Sequence, residues 1–197
     1  MSSLLLLSGG IDSTLLAAAV RPSVCLFIDY GQRPASGEYD AARYVSGYLG
    51  IEFDSIEVDL SSLGSGLLVG SAQPELSPTE EWFPYRNQFL VTIAAAKAIK
   101  MNIRTVMLGV VGGDGARHVD GSSVFVAVLD SLVAMQEGGV HVQAPHLGQT
   151  PQALLAESSL PSQVLLRTYS CHTGNLACGQ CPGCLRRYDL LRGSGAL

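Results

Sequence analysis

The spacing of apolar and polar positions predicts strands and helices that alternate along the 197-residue chain. Short apolar or alternating runs with strand character lie at 4–7, 24–31, 53–60, 105–111 and 140–145. Between them, apolar residues recur every three or four positions, which predicts helices at 11–19, 41–49, 86–100, 124–136 and from 150 onwards. The helix at 86–100 is apolar on most sides, so we expect it to be buried between layers.

This alternation predicts an α/β fold with a mostly parallel sheet. Ligands of such sheets bind at the carboxyl ends of the strands, near the point where the strand order reverses. Glycine turns follow the first, second and fourth predicted strands and therefore emerge on that side. Residues 61–84 are rich in Ser, Gly and Pro and have no sustained period, which predicts a long loop of the kind that covers active sites.

The composition supplies ample material for a core, because hydrophobic residues make up 47% of the chain and charged residues 15%. The net charge of −5 and the pI near 5.3 argue against a nucleic-acid substrate, since proteins that bind phosphate backbones carry a basic face. No apolar run is long enough to span a bilayer, and the leucines at 4–7 lack the features of a signal peptide. We therefore expect a soluble, cytoplasmic protein that does not act in a membrane.

The string "SGGIDS" at 8–13 joins the first predicted strand to the first predicted helix. Gly9 and Gly10 allow a tight turn and close approach of a ligand to the backbone, and the helix start offers free N–H groups. Ser8, Ser13 and Thr14 add hydroxyl donors, so the segment suits a pyrophosphate. It matches neither the Walker loop nor the dinucleotide G-x-G-x-x-G motif. The simpler alternative is a plain turn in which Asp12 caps the helix.

Four of the five cysteines fall within fourteen residues near the C-terminus, which indicates a metal site rather than disulfides. They are Cys171, Cys178, Cys181 and Cys184. Four thiolates satisfy a tetrahedral Zn²⁺, so we expect a structural zinc site in a small lobe over 161–197 that follows a domain over 1–160. An iron–sulfur cluster and a redox dithiol are the alternatives. His172 is expected at the surface and Cys25 in the core.

Four stretches together resemble the 7-cyano-7-deazaguanine synthase family, QueC. They are "SGGIDST" at 8–14, "FIDYGQR" at 27–33, "FPYRNQFLVTIAAA" at 83–96 and "TYSCHTGNLACGQCPGCLRR" at 168–187. Their order matches that of the family, and they span almost the full length. The resemblance implies a Rossmann-like, adenine-nucleotide alpha-hydrolase-like domain with the pyrophosphate loop of N-type ATP pyrophosphatases, followed by the zinc lobe. It also implies a homodimer.

The resemblance further implies a reaction and its residues. Such enzymes adenylate the carboxylate of 7-carboxy-7-deazaguanine with ATP and Mg²⁺; ammonia then displaces AMP, and a second ATP converts the amide to the nitrile. By motif position, the catalytic residues are Asp12, Ser13 and Arg86. The ATP-binding residues are Leu7, Ser8, Gly9, Gly10, Asp12, Ser13, Thr14, Tyr30, Gln32 and Arg33. The substrate-binding residues are Arg86, Asn87, Asp114 and Asp120.

The turn after the fourth strand, "GGDGARHVDGS" at 112–122, departs from the family pattern. Asp114 and Asp120 align with it, whereas the aromatic residues, the cysteine and the arginine of the family do not. Its glycines predict a wider pocket, which favours a diverged antiviral-defence relative that joins a 7-deazaguanine to a protein amine. A tRNA-thiolating enzyme, which needs a basic surface and catalytic cysteines, and a nucleotide-binding module without activity are further alternatives.

Overall fold

The computed structural model describes residues 2–197 and contains one five-stranded sheet in which every strand pair is parallel. The strands are β1 (Leu4–Leu6), β2 (Val24–Asp29), β3 (Glu52–Glu57), β4 (Thr105–Met107) and β5 (His141–Gln143). Their order is β3-β2-β1-β4-β5, so the direction of winding reverses between β1 and β4. The prediction of an α/β fold with a parallel sheet is confirmed. The reversal places a crevice beyond the carboxyl ends of β1 and β4.

Helices follow the strands and cover both faces of the sheet. They are α1 (Ile11–Val20), α2 (Ala35–Leu49), α3 (Arg86–Lys100), α4 (Asp114–Arg117), α5 (Ser123–Ala134), α6 (Pro151–Glu157), α7 (Ser162–Leu165) and α8 (Pro182–Gly193). Short 3-10 turns occupy Ser61–Leu63, Gly66–Leu68 and Val119–Gly121.

The core lies on both sides of β1, whose successive leucines face opposite helical layers. Leu4 and Leu6 pack in one cluster with residues of α3 and α5. Leu5 and the following Leu7 pack in a second cluster with residues of α1 and α2. Because the sheet is covered on both faces, its central strands are continuous apolar runs and do not alternate with polar residues.

Local sequence explains several helix ends. The hydroxyl of Ser122 accepts a hydrogen bond from Phe125 N at 3.2 Å and caps α5. Thr150 caps α6 in the same way, directly before Pro151 at the first helical position. Gly50, the C-cap of α2, adopts the left-handed conformation with φ of 66°.

Several predicted boundaries were wrong. The fourth strand ends at Met107 and not at 111. Leu108 N still donates to Gln143 O of β5 at 2.9 Å, and the chain then passes over the start of α1. A Cβ at Gly109 would lie 3.0 Å from Ser13 Cα, so this close passage needs glycine. β3 ends at Glu57, three residues early. The turn at 112–122 and the segment after 160 contain α4 and α7, two short helices that no apolar period announces.

Two helices differ from the sequence prediction. α2 begins at Ala35, six residues before the predicted start at 41, and its Tyr44 and Tyr48 are exposed. The guanidinium of Arg167 lies over the ring of Tyr44, with Arg167 Cζ 5.4 Å from the ring centroid. α3 is buried along one face only, and its other face, including Ile99, is open to solvent.

The C-terminal segment packs against the main domain through α8. Leu190 and Leu191 of α8 share a cluster with Leu15 of α1 and Leu154 of α6. The predicted division into 1–160 and 161–197 stays a prediction. Over residues 2–197, none of the helices is both long enough and apolar enough to cross a membrane.

Candidate active site

A cavity of about 550 Å³ lies at the switch point between the carboxyl ends of β1 and β4. We call it the switch-point cavity. The SGGIDS loop and the segment after β4 form its floor, and residues from the end of the 61–84 loop, the 112–122 turn and α8 form its walls. Its size is in the range that encloses small-molecule ligands. Loops from both halves of the sheet therefore converge on one site.

The SGGIDS loop is ordered by its own hydrogen bonds and by α2. Ser8 Oγ accepts from Gly10 N at 3.3 Å and lies 3.2 Å from Ser13 Oγ. Gly9, with φ of 76°, does not line the cavity; a Cβ there would lie 2.7 Å from Ala41 Cβ. Gly9 is thus required by the close packing of α2, whereas Gly10 and the two serines line the cavity together with Leu7.

Asp12 is the acid of this loop, and it is half-buried. One carboxylate oxygen pairs with Arg186 of α8 at 3.0 Å, and its other oxygen, Oδ1, is buried without a hydrogen-bond partner. Burial raises the pKa of Asp12 to about 6, despite the opposing charge of Arg186. Such a carboxylate is poised to gain a cationic partner, because a cation at Oδ1 would stabilise its charged form.

A second polar cluster joins the end of β2 to the start of α3. Gln32 Oε1 accepts from Tyr30 N at 2.8 Å, and Gln32 Nε2 donates to Glu38 Oε2 at 2.8 Å. Arg86 lies beside Tyr30; burial alone would lower the pKa of Arg86, but Tyr30, Asp120 and Glu38 together raise it. Arg86 is therefore a fixed positive charge in the wall of the switch-point cavity.

The predicted substrate-binding residues also meet at this cavity. Asn87 Nδ2 donates to the main-chain oxygen of Asp120 at 3.2 Å, which ties the start of α3 to the 112–122 turn. Asp114 accepts from Val111 N at 3.0 Å and lies 3.6 Å from Arg186. Asp114 thus braces the turn and shares Arg186 with Asp12, while the side chain of Asp120 faces the charge of Arg86.

Besides Gly9, two residues of the predicted ATP-binding set lie outside the cavity lining. Thr14 is fully buried, and its hydroxyl has no hydrogen-bond partner. Arg33 is exposed, lies against Gly70 and borders a separate surface depression with Asn175. The structure therefore gathers the predicted site residues except Gly9, Thr14 and Arg33 around one cavity.

The four C-terminal cysteines form a compact thiol cluster beside this cavity. The Sγ atoms of Cys171, Cys178, Cys181 and Cys184 all lie within 4.8 Å of one another. Main-chain N–H groups of His172 and Cys181 each donate to a cluster sulfur at 3.3 Å, which stabilises thiolates. The geometry is that of a site for a metal ion. Cys25 is buried in the sheet, as predicted.

The chain matches the family model for the queuosine biosynthesis protein QueC over residues 2–194. This protein belongs to the QueC family. It is 32% identical to 7-cyano-7-deazaguanine synthase 1 of Desulfitobacterium hafniense, over 93% of this chain and 88% of that protein. It is 31% identical to the 7-cyano-7-deazaguanine synthase of Desulforudis audaxviator, over 100% of this chain and 99% of that protein. The predicted family is confirmed, and with it that the protein is an enzyme.

A solved structure is similar to this QueC-family protein in fold. It is the U34-tRNA thiolase NcsA from Methanococcus maripaludis with its [4Fe-4S] cluster, at a TM-score of 0.57 and 17% identity. The match covers 99% of this chain and 70% of that chain. At this identity the likeness shows a shared fold and no more.

Sequence reasoning missed a group of ionisable side chains in the wall of the QueC-family cavity. Glu81, only 5% exposed, accepts from Arg117 Nε at 2.8 Å and lies 3.4 Å from His118 Nε2. His172 also lines the cavity, half-buried with Nδ1 unpartnered, so the expectation of a surface residue was wrong. The only sequence signal was the charged pair at 117 and 118 in the divergent 112–122 turn.

We expect Glu38→Gln to change how the stability of this QueC-family protein depends on pH. Burial raises the pKa of Glu38 from its usual 4.5 to about 7, although Gln32 donates to it. The native state therefore holds a proton that the unfolded state has lost between about pH 4.5 and 7, and the parent loses stability as pH rises through that window. Gln keeps the hydrogen bond and has no charge to bury.

The free energy of unfolding of Glu38→Gln should therefore exceed that of the parent by an amount that grows as pH rises to 7. Above pH 7 the difference should level off at on the order of 2–3 kcal/mol. Urea denaturation between pH 5 and 8 measures this difference. Glu57→Gln, at an exposed position of β3, is the matched control and should show no such trend. Parallel pH curves for Glu38→Gln and the parent would contradict the buried proton.

Proposed function

We propose that this enzyme transfers AMP from ATP to the carboxylate of 7-carboxy-7-deazaguanine and releases pyrophosphate. An amine then attacks the acyl-adenylate to give an amide, and a second round of activation gives the 7-cyano product for which the relatives are named. Asp12 carries the proposal: it presents a buried, unpartnered carboxylate oxygen in an anion-binding loop at the switch point of a parallel sheet.

The SGGIDS loop suits the phosphates of ATP. The first turn of α1 offers free N–H groups, and Ser8 and Ser13 add hydroxyls along the same cavity wall. Mg²⁺ prefers carboxylate oxygens and substrate phosphates, and Asp12 Oδ1 is the oxygen left free to bind it. Bound there, the ion would offset the charge of the departing pyrophosphate. Arg186 holds the other carboxylate oxygen and fixes the orientation of Asp12.

The start of α3 and the 112–122 turn suit a carboxylated purine analogue. Arg86 supplies a fixed positive charge for the carboxylate, and Asn87 and Asp120 lie next to it with amide and carboxylate groups for the ring edge. Holding the carboxylate and the α-phosphate in one cavity converts a reaction of two ligands into an effectively unimolecular step.

The decisive experiment incubates the protein with ATP, Mg²⁺, 7-carboxy-7-deazaguanine and ammonium, and follows the products by mass spectrometry. We expect AMP and pyrophosphate, together with the amide or the nitrile. ADP and orthophosphate in their place would overturn the proposal. Protein adducts of the deazaguanine, in place of free amide, would identify the relative that acts on a protein amine.

We expect Asp120→Ala to raise KM for the deazapurine by roughly 10- to 100-fold, the loss of one or two charge-assisted hydrogen bonds. Exchange of pyrophosphate into ATP, followed at saturating ATP while the deazapurine concentration is varied, measures this effect. KM for ATP should change little, because Asp120 is tied to Asn87 at the start of α3 and belongs to the residues proposed for the deazapurine. Asp40→Ala, at an exposed position of α2, is the control. An unchanged KM for the deazapurine in Asp120→Ala would remove Asp120 from the substrate site.

We also propose that the thiol cluster holds Zn²⁺. At a Zn–S distance of about 2.3 Å, tetrahedral coordination places the sulfurs roughly 3.8 Å apart, which fits a cluster confined within 4.8 Å. A four-iron cluster inserts a cube of iron and sulfide between its thiolates and needs a wider spacing. With four protein ligands the zinc would be structural and would fix the polypeptide around it.

The thiolating alternative is disfavoured by the cavity lining. Within residues 2–197, no cysteine lines the switch-point cavity; Cys25 is buried in the sheet and the others form the thiol cluster. A sulfur-transfer reaction would therefore lack a nucleophilic thiol at the nucleotide. Association into a homodimer stays a prediction.

A further inference from the structure

A buried carboxylate in the cavity wall, Glu81, has one oxygen that nothing in the protein uses. The residue is 5% exposed, and its Oε2 has no hydrogen-bond partner. Its Oε1 is saturated, because it lies within reach of Arg117 Nε, a second Arg117 nitrogen and His118 Nε2. A buried unpaired carboxylate oxygen is unfavourable, so Oε2 indicates a ligand that brings a hydrogen-bond donor.

The backbone around Glu81 holds this carboxylate in place. Ser65 Oγ donates to Trp82 O at 2.8 Å. Gly66, with φ of 66°, lies so close to Glu80 O that a Cβ at position 66 would be 2.1 Å from it. Residues 65–66 therefore contact both sequence neighbours of Glu81, which are Glu80 and Trp82. The position is preorganised, as expected of a binding group.

Glu81 also differs from the other cavity acids in charge. Burial would raise its pKa, but His118, the main-chain N–H and Arg117 outweigh burial and lower the pKa to about 2. The pKa values of Asp12 and Glu38 are raised instead, to about 6 and about 7. Glu81 is thus an ionised carboxylate at every working pH, with one acceptor oxygen free.

We propose that Glu81 Oε2 binds the amine that attacks the activated carboxylate, in its ammonium form. This inference rests on the proposed function. A single free oxygen suits one N–H of a tetrahedral ammonium group. The planar amidine edge of a deazaguanine presents two parallel donors and needs two adjacent acceptors, which Glu81 lacks because Oε1 is occupied.

The cavity then has one group for each charged ligand. Asp12 Oδ1 and Glu81 Oε2 are buried, unpartnered carboxylate oxygens of the lining. Asp12 belongs to the SGGIDS loop, where phosphates and their metal ion bind. Glu81 contacts Arg117 and His118 and lines the same cavity as Arg86, the group proposed to hold the substrate carboxylate.

The chemistry balances without a further reactant. The bound ammonium releases one proton to solvent, and the resulting ammonia forms a C–N bond to the acyl carbon. The C–O bond to the phosphate breaks, AMP leaves with its electron pair, and the nitrogen gives a second proton to solvent. Glu81 is a binding residue for the amine and not the base, because its pKa is too low to retain a proton.

The test is Glu81→Gln, with ammonium as the varied substrate at saturating ATP and 7-carboxy-7-deazaguanine. We expect KM for ammonium to rise about tenfold or more, the loss of one charge-assisted hydrogen bond. Pyrophosphate exchange without amine should stay within about twofold, since adenylation precedes amine binding. Glu80→Gln, at the exposed neighbouring position, should match the parent. In the parent itself, methylammonium should compete with ammonium, whereas tetramethylammonium, which has no N–H, should not.

The outcomes separate this inference from the proposed function. A parent that shows no exchange with the deazapurine refutes the proposed function. Normal exchange with an unchanged KM for ammonium in Glu81→Gln refutes the role of Glu81, and so does a rise in KM for the deazapurine alone. A parent that exchanges but does not consume ammonium refutes it as well. If Glu81→Gln does not fold, equal inhibition of the parent by tetramethylammonium and methylammonium still overturns the inference.

Discussion

Asp12→Ala is expected to lower the rate of ATP cleavage by about a thousandfold and to leave the fold intact. Asp12 Oδ1 is the unpartnered oxygen proposed for the metal ion on the phosphates, and loss of one such stabilising group typically costs two to three orders of magnitude. The carboxylate contributes little to stability, because its raised pKa shows that burial disfavours its charge. Release of AMP and pyrophosphate, together with thermal unfolding, measures both effects.

Two variants sharpen this experiment. Asp12→Asn keeps the shape of the side chain and removes its charge, so it should lose nearly as much activity as Asp12→Ala. Asp189→Ala, an exposed acid on α8, should keep the parental rate. If Asp12→Asn cleaves ATP like the parent, the negative charge at position 12 has no part in the reaction.

The second large effect is expected on replacing a member of the thiol cluster. Cys171→Ser should release the metal ion and destabilise the protein by about 3 kcal/mol or more, roughly 6–12 °C in Tm for a domain of this size. Cys171 and Cys181 are at most 5% exposed, so the change leaves unsatisfied sulfur groups in a buried position. Metal analysis with thermal unfolding tests the prediction.

Cys25→Ala is the matched control, because it removes a buried thiol outside the cluster and should retain the full metal content. Iron with labile sulfide in the parent, in place of zinc, would contradict the proposed ion. A Cys171→Ser variant that binds no metal and unfolds like the parent would contradict a structural role.

The two sites are linked through α8. Cys181 and Cys184 lie at the start of this helix. Arg186, two residues after Cys184, pairs with the Asp12 carboxylate at 3.0 Å. Metal loss that loosens the start of α8 would therefore also release the partner of Asp12. Reduced ATP cleavage in Cys171→Ser is the expected consequence of this connection.

Features written in consecutive residues could be predicted from the sequence. The parallel α/β order, the SGGIDS loop and the C-x-x-C-x-x-C spacing each depend on local periodicity or on side chains a few positions apart. Strand and helix ends were less predictable. β4 ends at Met107, and the segment that follows passes close to Ser13 of α1, a residue distant in the sequence.

The sequence by itself determined the fold class, the family and the positions of the two motifs, because these follow from local pattern. Only the tertiary structure decided which side chains share the site. Glu81 meets Arg117 across 36 positions of the chain, and Asp12 meets Arg186 from the opposite terminus. It also decided that Gly9 makes room for Ala41 of α2 and that Arg33 faces away from the cavity. Burial and long-range contact set these roles, and neither is encoded in the residues next to them.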